Sequence, residues 1–428
     1  MHLSQQRIGH GLAAVSLALI AAVTLYPLPG AVSRAAATPL TCIACGELGG
    51  VDLLLNVLLF VPLGVGLTLA RFSVRRALVL AALLTFLIEL LQMKVVPGRD
   101  ASLGDVLANT LGGGLGAVLG AHWRRWIRPD PRTARRLALA WTLLLTWIWV
   151  GSAWGFGPTW PTGSPWFGQW APDLGHLKHF LGHPIMITAG GEPLLPGRTI
   201  DQARLEDAVA ADPTMRFRAV LGPPTDGLAP VGSIYDGRQR EVLLLGQDHR
   251  DLAFRTRIRA TILRLRNPYA TLPGGMAGEP GDTVDAEGSL LEGRLILQAR
   301  NGSRIATRLV PLSASLGWAL VAPWNARLDG RTAALTALWV GCLLIPLAYW
   351  GALAAGAAAL LAPATTGVLL VVVPVTAGFP PVGWTEWAAA ALGILAGSLA
   401  ARRVRRWAWL PQAPLEQGGA APLPEVPR

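Results

Sequence analysis

Of 428 residues, 52% are hydrophobic and only 15% charged, and the mean hydropathy is positive. That composition excludes an ordinary soluble enzyme and fits a polytopic membrane protein. The net charge of +11 comes mainly from Arg clusters between apolar runs, so it reads as topology information before it reads as a nucleic-acid footprint.

Runs long enough to span a bilayer, about 17 to 25 residues, are predicted near residues 10–28, 51–70, 77–95, 103–121, 137–156, 333–352, 359–377 and 384–401. Arg71, Arg75 and Arg76, then Arg124 to Arg136, then Arg402 to Arg406 follow alternate runs. By the positive-inside rule these clusters are cytoplasmic, which puts both termini inside and the long segment 157–330 outside. The first run, followed by SRAAA, also resembles a cleaved signal peptide. Pro363 and Pro374 interrupt the seventh run.

Trp147, Trp149, Trp154, Trp160, Trp166 and Trp170 mark the approach to the exported segment, as an interfacial belt does. Beyond residue 214, runs such as MRFRAVL, REVLLLGQ and GRLILQAR alternate polar and apolar residues between Gly, Pro, Asp and Asn. This pattern predicts an antiparallel β sandwich over about 214–328. The expected architecture is therefore a polytopic α-helical membrane protein of about eight spans with an inserted extracytoplasmic all-β sandwich. Its parts are a five-helix region at 1–156, the exported domain at 157–330, a three-helix region at 331–402 and a Pro-rich cytoplasmic tail at 403–428.

The polar residues of the early spans need a reason, because a carboxylate in hydrocarbon is costly. VDLLLNVLLF carries Asp52 and Asn56, and GDVLANTLGG carries Asp105 and Asn109, in each case an acid four residues before an amide. Glu89 and Gln92 lie near the end of the intervening outward run, and Arg99 follows in the loop. Topology puts all of them at one depth, in the outer leaflet. At about 100° per residue, Asp105 and Asn109 share a face with Gly112, Gly116 and Gly120. Such a small-residue seam admits a close helix neighbour. Pro62 and Gly64 are expected to loosen the second helix.

The stretches VDLLLNVLLFVPLG, IELLQ and GRDASLGDVLANTLGGGLG resemble the VanZ-like membrane proteins, named for a teicoplanin resistance determinant. The shared pattern falls on Asp52, Asn56, Phe60, Pro62, Gly64, Glu89, Gln92, Arg99, Asp105, Asn109 and Gly112, and covers about residues 45–122. The resemblance implies a bacterial envelope protein and, for some members, lowered sensitivity to lipophilic glycopeptides. It implies no defined reaction.

Three readings of the constellation stay open. It is a structural network in which Arg99 neutralises the acids, a site for an envelope lipid or ion, or an intramembrane catalyst using Glu89, Asp52 or Asp105 as a base. Without a nucleophile motif, an enzyme is the least favoured. His176, His179 and His183 fall on one face if their segment is helical, which offers a metal site; no metal or other cofactor is expected. The C-x-x-C of Cys42 and Cys45 lacks the context of a redox domain, and at most forms a disulfide in an oxidising compartment. PVGSIYDG and EVLLLGQDHRDLAFRTR faintly resemble laminin-G or concanavalin-like sandwiches. Arg255, Arg257, Arg259, Arg264 and Arg266 read as a solvated face, or else as a patch for anionic polymers. Membrane lipid, cell-wall glycan or a lipid-linked precursor is the expected partner, and nucleic acid is not. The expected location is the bacterial cytoplasmic membrane.

Overall fold

The computed structural model describes residues 2–27, 39–97, 99, 101–173, 177–196 and 202–408. Four helices form a first bundle: α1 (His2–Thr24), α2 (Gly49–Leu69), α3 (Val74–Lys94) and α4 (Leu103–Ala121). The helix starts follow from local chemistry. The Ser73 hydroxyl caps α3 by accepting from the Arg76 amide at 3.3 Å, and Ser102 caps α4 by accepting from the Asp105 amide at 3.0 Å. A short α5 (Trp123–Ile127) leads into α6 (Pro131–Phe156), where Asp130 accepts from the Arg132 and Thr133 amides and Pro131 occupies the first turn. After the β region and its helix α7 (Gln202–Ala211), helices α8 (Thr332–Ala354), α9 (Gly356–Thr376) and α10 (Trp384–Ala408) pack with α6 into a second bundle.

Helices stand at all eight predicted runs, and five of them, α1, α2, α6, α8 and α9, are long and apolar enough to cross a membrane. The proline-interrupted run becomes a composite: a 3-10 turn at Gly356–Leu360, an α-helix at Leu361–Gly367 and a π turn at Val368–Val372 just before Pro374. Loss of a backbone donor at proline accounts for such a distortion. Pro62 does not have the expected loosening effect, since α2 runs unbroken through it. Gly64 instead serves packing, with any Cβ there overlapping Gly113 of α4.

Two six-stranded sheets make up the inserted region. One has the order β1 (Trp166–Trp170), β5 (Leu228–Asp236), β6 (Glu241–Asp248), β7 (Asp251–Thr256), β8 (Tyr269–Leu272), β12 (Arg327–Leu328). The other runs β11 (Arg304–Pro311), β10 (Arg294–Asn301), β9 (Thr283–Leu291), β4 (Thr214–Val220), β2 (His183–Ala189), β3 (Glu192–Leu194). Every pairing is antiparallel except β12 with β8. Leu243, Leu245 and Phe254 of the first sheet share one buried core with Ile187, Phe217 and Leu297 of the second. Strands therefore begin at Trp166, well before the expected residue 214. Part of the Trp-rich approach packs in the interior and not at an interface. Trp166 is 2% exposed in that core, and only Trp147 and Trp154 of the six are exposed. An indole can be buried when its N–H is bonded, and Trp166 Nε1 donates to the Pro161 carbonyl at 3.0 Å while Trp170 Nε1 donates to that of Leu194 at 2.9 Å.

The sandwich joins the two bundles differently. Phe156, the last residue of α6, belongs to the sandwich core, and Trp318 Nε1 donates to Thr336 Oγ1 of α8 at 3.0 Å. Toward the first bundle the junction is a small polar one. The Gly50 amide donates to the Arg264 carbonyl at 3.2 Å, and the Arg264 guanidinium donates to the Ala44 carbonyl. Among the described residues no helix of the first bundle packs extensively on α6, α8, α9 or α10.

Candidate functional site

The first bundle is drawn together by glycine. A Cβ at Gly112 would overlap the Val57 carbonyl, one at Gly116 the Val61 carbonyl and one at Gly120 the Thr68 hydroxyl, all on α2. Close approach of α2 and α4 brings their polar ends into register. Asn56 Nδ2 donates to Asp105 Oδ1 at 2.5 Å across that seam. The Ser102 amide donates to Glu89 Oε2 at 2.9 Å, so the cap of α4 also ties it to α3. One turn deeper, Asn109 Nδ2 donates to Thr85 Oγ1 at 2.9 Å. Gln92 Nε2 donates to the Thr24 carbonyl at 2.9 Å, which ties α3 to the end of α1.

Asn56, Glu89, Gln92, Asp105 and Asn109 thus form one layer linking the four helices. Glu89 is 6%, Gln92 8% and Asn109 2% exposed. Asp52 stands apart. It is exposed at the start of α2, and its carboxylate makes no hydrogen bond or ion pair among the described residues. An acid in a first helical turn is favoured by the helix dipole, which makes Asp52 tolerable there but supplies it no donor.

Among the described residues Arg99 forms no direct ion pair with the acids, but its charge acts on Asp52 and Asp105. Its Nη2 donates to the Val23 carbonyl at 2.7 Å and its Nε to that of Tyr26 at 3.1 Å. These are carbonyls left unpaired at the C-terminal end of α1, where a cation is stabilising. A second Arg also acts on the site. Arg266 of the sandwich lies close enough to Asp52 for the two charges to interact, while its own guanidinium donates to the Ala322 carbonyl and, at 3.2 Å, to Asn325 Oδ1.

The loop at Pro39–Leu48 packs against the starts of α2 and α4 beside this layer. Cys42 and Cys45 form a disulfide within it. The Leu103 amide donates to the Leu40 carbonyl at 2.9 Å, and a Cβ at Gly49 or Gly104 would overlap Ala44 or Ile43. One small stapled loop therefore touches the starts of α2 and α4 and the Arg264 turn of the sandwich. The C-x-x-C spacing was the signal for it. Nothing local in the chain gives its role, because the Arg264 turn that it touches is distant in sequence.

Other expected features resolve differently. His179 lies in an irregular segment and His183 opens strand β2, so they share no helical face; His176 lies outside the described residues. No group of three or more potential metal-binding side chains occurs among the described residues. The Arg run is only partly a solvated face: Arg259 and Arg264 are exposed, whereas Arg255, Arg257 and Arg266 are partly buried. Arg255 is largely buried and grips Glu241 with both ends of its fork, Nε to Oε1 at 2.6 Å. Arg257 donates to the Glu241 carbonyl at 3.2 Å, and Arg264 and Arg266 sit at the junction with the first bundle. Within the sandwich, buried Asp248 accepts from the Tyr269 hydroxyl and from Arg327 Nη2, both at 3.0 Å. Burial and the Asp248 charge push the Tyr269 hydroxyl up to about 12, so it stays a donor at ordinary pH.

Comparison with known proteins agrees with this division. No curated protein and no solved structure matches the chain. The family match extends the resemblance back into α1, whose end Gln92 and Arg99 hold, and stops just past α4. Residues 12–124, the first bundle with its polar layer, match the family model VanZ/LLP1, and this part of the chain is VanZ-like.

Proposed function

We propose that this is a bacterial envelope protein whose VanZ-like bundle binds the headgroup of an envelope lipid or lipid-linked cell-wall precursor at the outer face of the cytoplasmic membrane. In this reading the chain crosses the membrane eight times, both termini are cytoplasmic and residues 157–330 lie outside. The sandwich, lectin-like in architecture, then stands over the bundle and presents envelope glycan or precursor to it. Occupation of such precursors would link the protein to teicoplanin-type resistance. The observation that carries the reading is Asp52, an exposed carboxylate without a hydrogen bond among the described residues, beside a buried polar layer and near the junction where Gly50 meets Arg264 of the sandwich. Membranes supply charged headgroups at that depth, and an intramembrane acid is a functional suspect by default.

The test uses a photoreactive lipid-linked cell-wall precursor in vesicles that contain the full-length protein. The expected crosslinks fall at residues 40–56 and 99–105, with thiol labelling of an engineered cysteine at position 240 from the outside of intact cells. Crosslinks confined to α8 and α10, or labelling of position 240 only after lysis, would sink the reading.

A further inference from the structure

The polar layer leaves acceptors open. Asn56 Nδ2, Asn109 Nδ2 and Gln92 Nε2 each give one N–H, and Arg99 gives two, to Asp105, Thr85 and the end of α1. On the acceptor side, Gln92 Oε1 and Asn109 Oδ1 are buried without a partner among the described residues. Asp52 has none either, Glu89 accepts from the Ser102 amide, and Asp105 is bonded by Asn56 and by the Ser102 side chain. Lys94, at the end of α3, is exposed and makes no hydrogen bond or ion pair among the described residues. Asp52 is the open acceptor that an incoming group can reach, and a group that brings several N–H donors and a positive charge together is complementary to it.

Resting on the reading of Asp52 and its surroundings as a lipid-headgroup site, we infer that this site selects a phospholipid whose headgroup ends in a primary ammonium, held by Asp52 beside the acceptor layer, with its phosphate beside Arg266. A primary ammonium supplies three N–H donors as well as the charge. A quaternary ammonium supplies the charge without a donor, and a glycerol headgroup supplies hydroxyls without the charge. Arg266 is already fixed by Ala322 and Asn325 and lies within reach of the Asp52 charge. That arrangement puts a cation and an anion side by side, complementary to a zwitterion. The route in is lateral, since the first bundle does not pack extensively on the second among the described residues and Asp52 is exposed.

Full-length protein in vesicles of equal parts phosphatidylethanolamine, phosphatidylcholine and phosphatidylglycerol is extracted gently, and the retained lipid is quantified by mass spectrometry. Phosphatidylethanolamine should be retained about tenfold over phosphatidylcholine, as one well-placed charged hydrogen bond allows. Asp52→Asn should abolish that preference and Asp52→Glu restore it. Arg266→Gln should lower retention of both lipids while leaving their ratio unchanged, which gives a second readout if Asp52→Asn folds poorly. Equal retention of the two lipids by the wild type, or a preference that survives Asp52→Asn, overturns the inference while leaving a lipid site standing. Retention no greater than by an unrelated helical membrane protein overturns both.

Discussion

In the sandwich, Arg255 closes both nitrogens of its fork on Glu241, and Asp248 is shared between Tyr269 and Arg327. In the first bundle, Asp52 makes no hydrogen bond or ion pair among the described residues, Asp105 is bonded by the Asn56 amide and the Ser102 side chain, and Arg99 donates to the end of α1. In the sandwich, Glu241 and Asp248 carry a directly bonded opposite charge, whereas in the first bundle the charges of Arg99 and Arg266 act on the acids without a direct ion pair among the described residues. The sandwich pairs are complete without a ligand, so their role is to hold strands in register. The bundle acids are left open, and an open acceptor in a low-dielectric setting is what a binding site needs.

The comparison breaks most clearly at Glu241. Glu241→Ala leaves Arg255 charged and largely buried, and losing one partner of such a pair costs about 3 to 5 kcal/mol. The full-length protein in detergent should show a large drop in the sandwich unfolding transition. A drop of under about 1 kcal/mol, the worth of an exposed pair, would mean that solvent reaches Arg255 and that the sandwich is not internally complete.

The features legible in the sequence were those carried by short-range periodicity. Asp105, Asn109, Gly112, Gly116 and Gly120 lie three or four residues apart, and that spacing alone placed them on one helix face. Hydropathy located the helices for the same reason. What escaped was contact between residues far apart in the chain. Arg99 reaches carbonyls more than 70 positions earlier, so its nearest acids seemed the natural partners. Arg266 and Asp52 are separated by the whole of α2 to α7, and nothing local announces that the sandwich returns over the bundle. Strands β1 to β3 were missed because Trp166 and Trp170 fit a membrane interface as well as a core, and only the hydrogen bonds of their indoles decide between the two.

The glycine seam offers a second, smaller break. Gly116→Leu drives a side chain into the Val61 carbonyl of α2, and overpacking of this kind costs about 1 to 3 kcal/mol when neighbours can shift. The melting of the first bundle should fall, and Asn56 should lose its grip on Asp105. Gly151→Leu is the matched control, because nothing lies within 4 Å of a Cβ at Gly151. Equal effects of the two substitutions would show that the seam does not set the polar layer.

Asp52 provides the finest test, because the comparison requires the smallest effect at the residue with the most conspicuous charge. An exposed side chain without a hydrogen bond contributes little to folding, and substitutions at such positions stay within about 0.5 kcal/mol. Asp52→Asn keeps the shape and removes only the charge. The helix-dipole interaction in the first turn of α2 is then lost, a term of about 0.3 to 1 kcal/mol at most, while the interaction with Arg266 across the junction weakens. Melting of the detergent-solubilised protein should therefore be nearly unchanged, in contrast to Glu241→Ala. If Asp52→Asn instead destabilises the protein as much as loss of the Glu241 charge, Asp52 holds the sandwich to the bundle through Arg266. The two regions would then share one rule for their charges, and the open acid would be a structural partner and not a site.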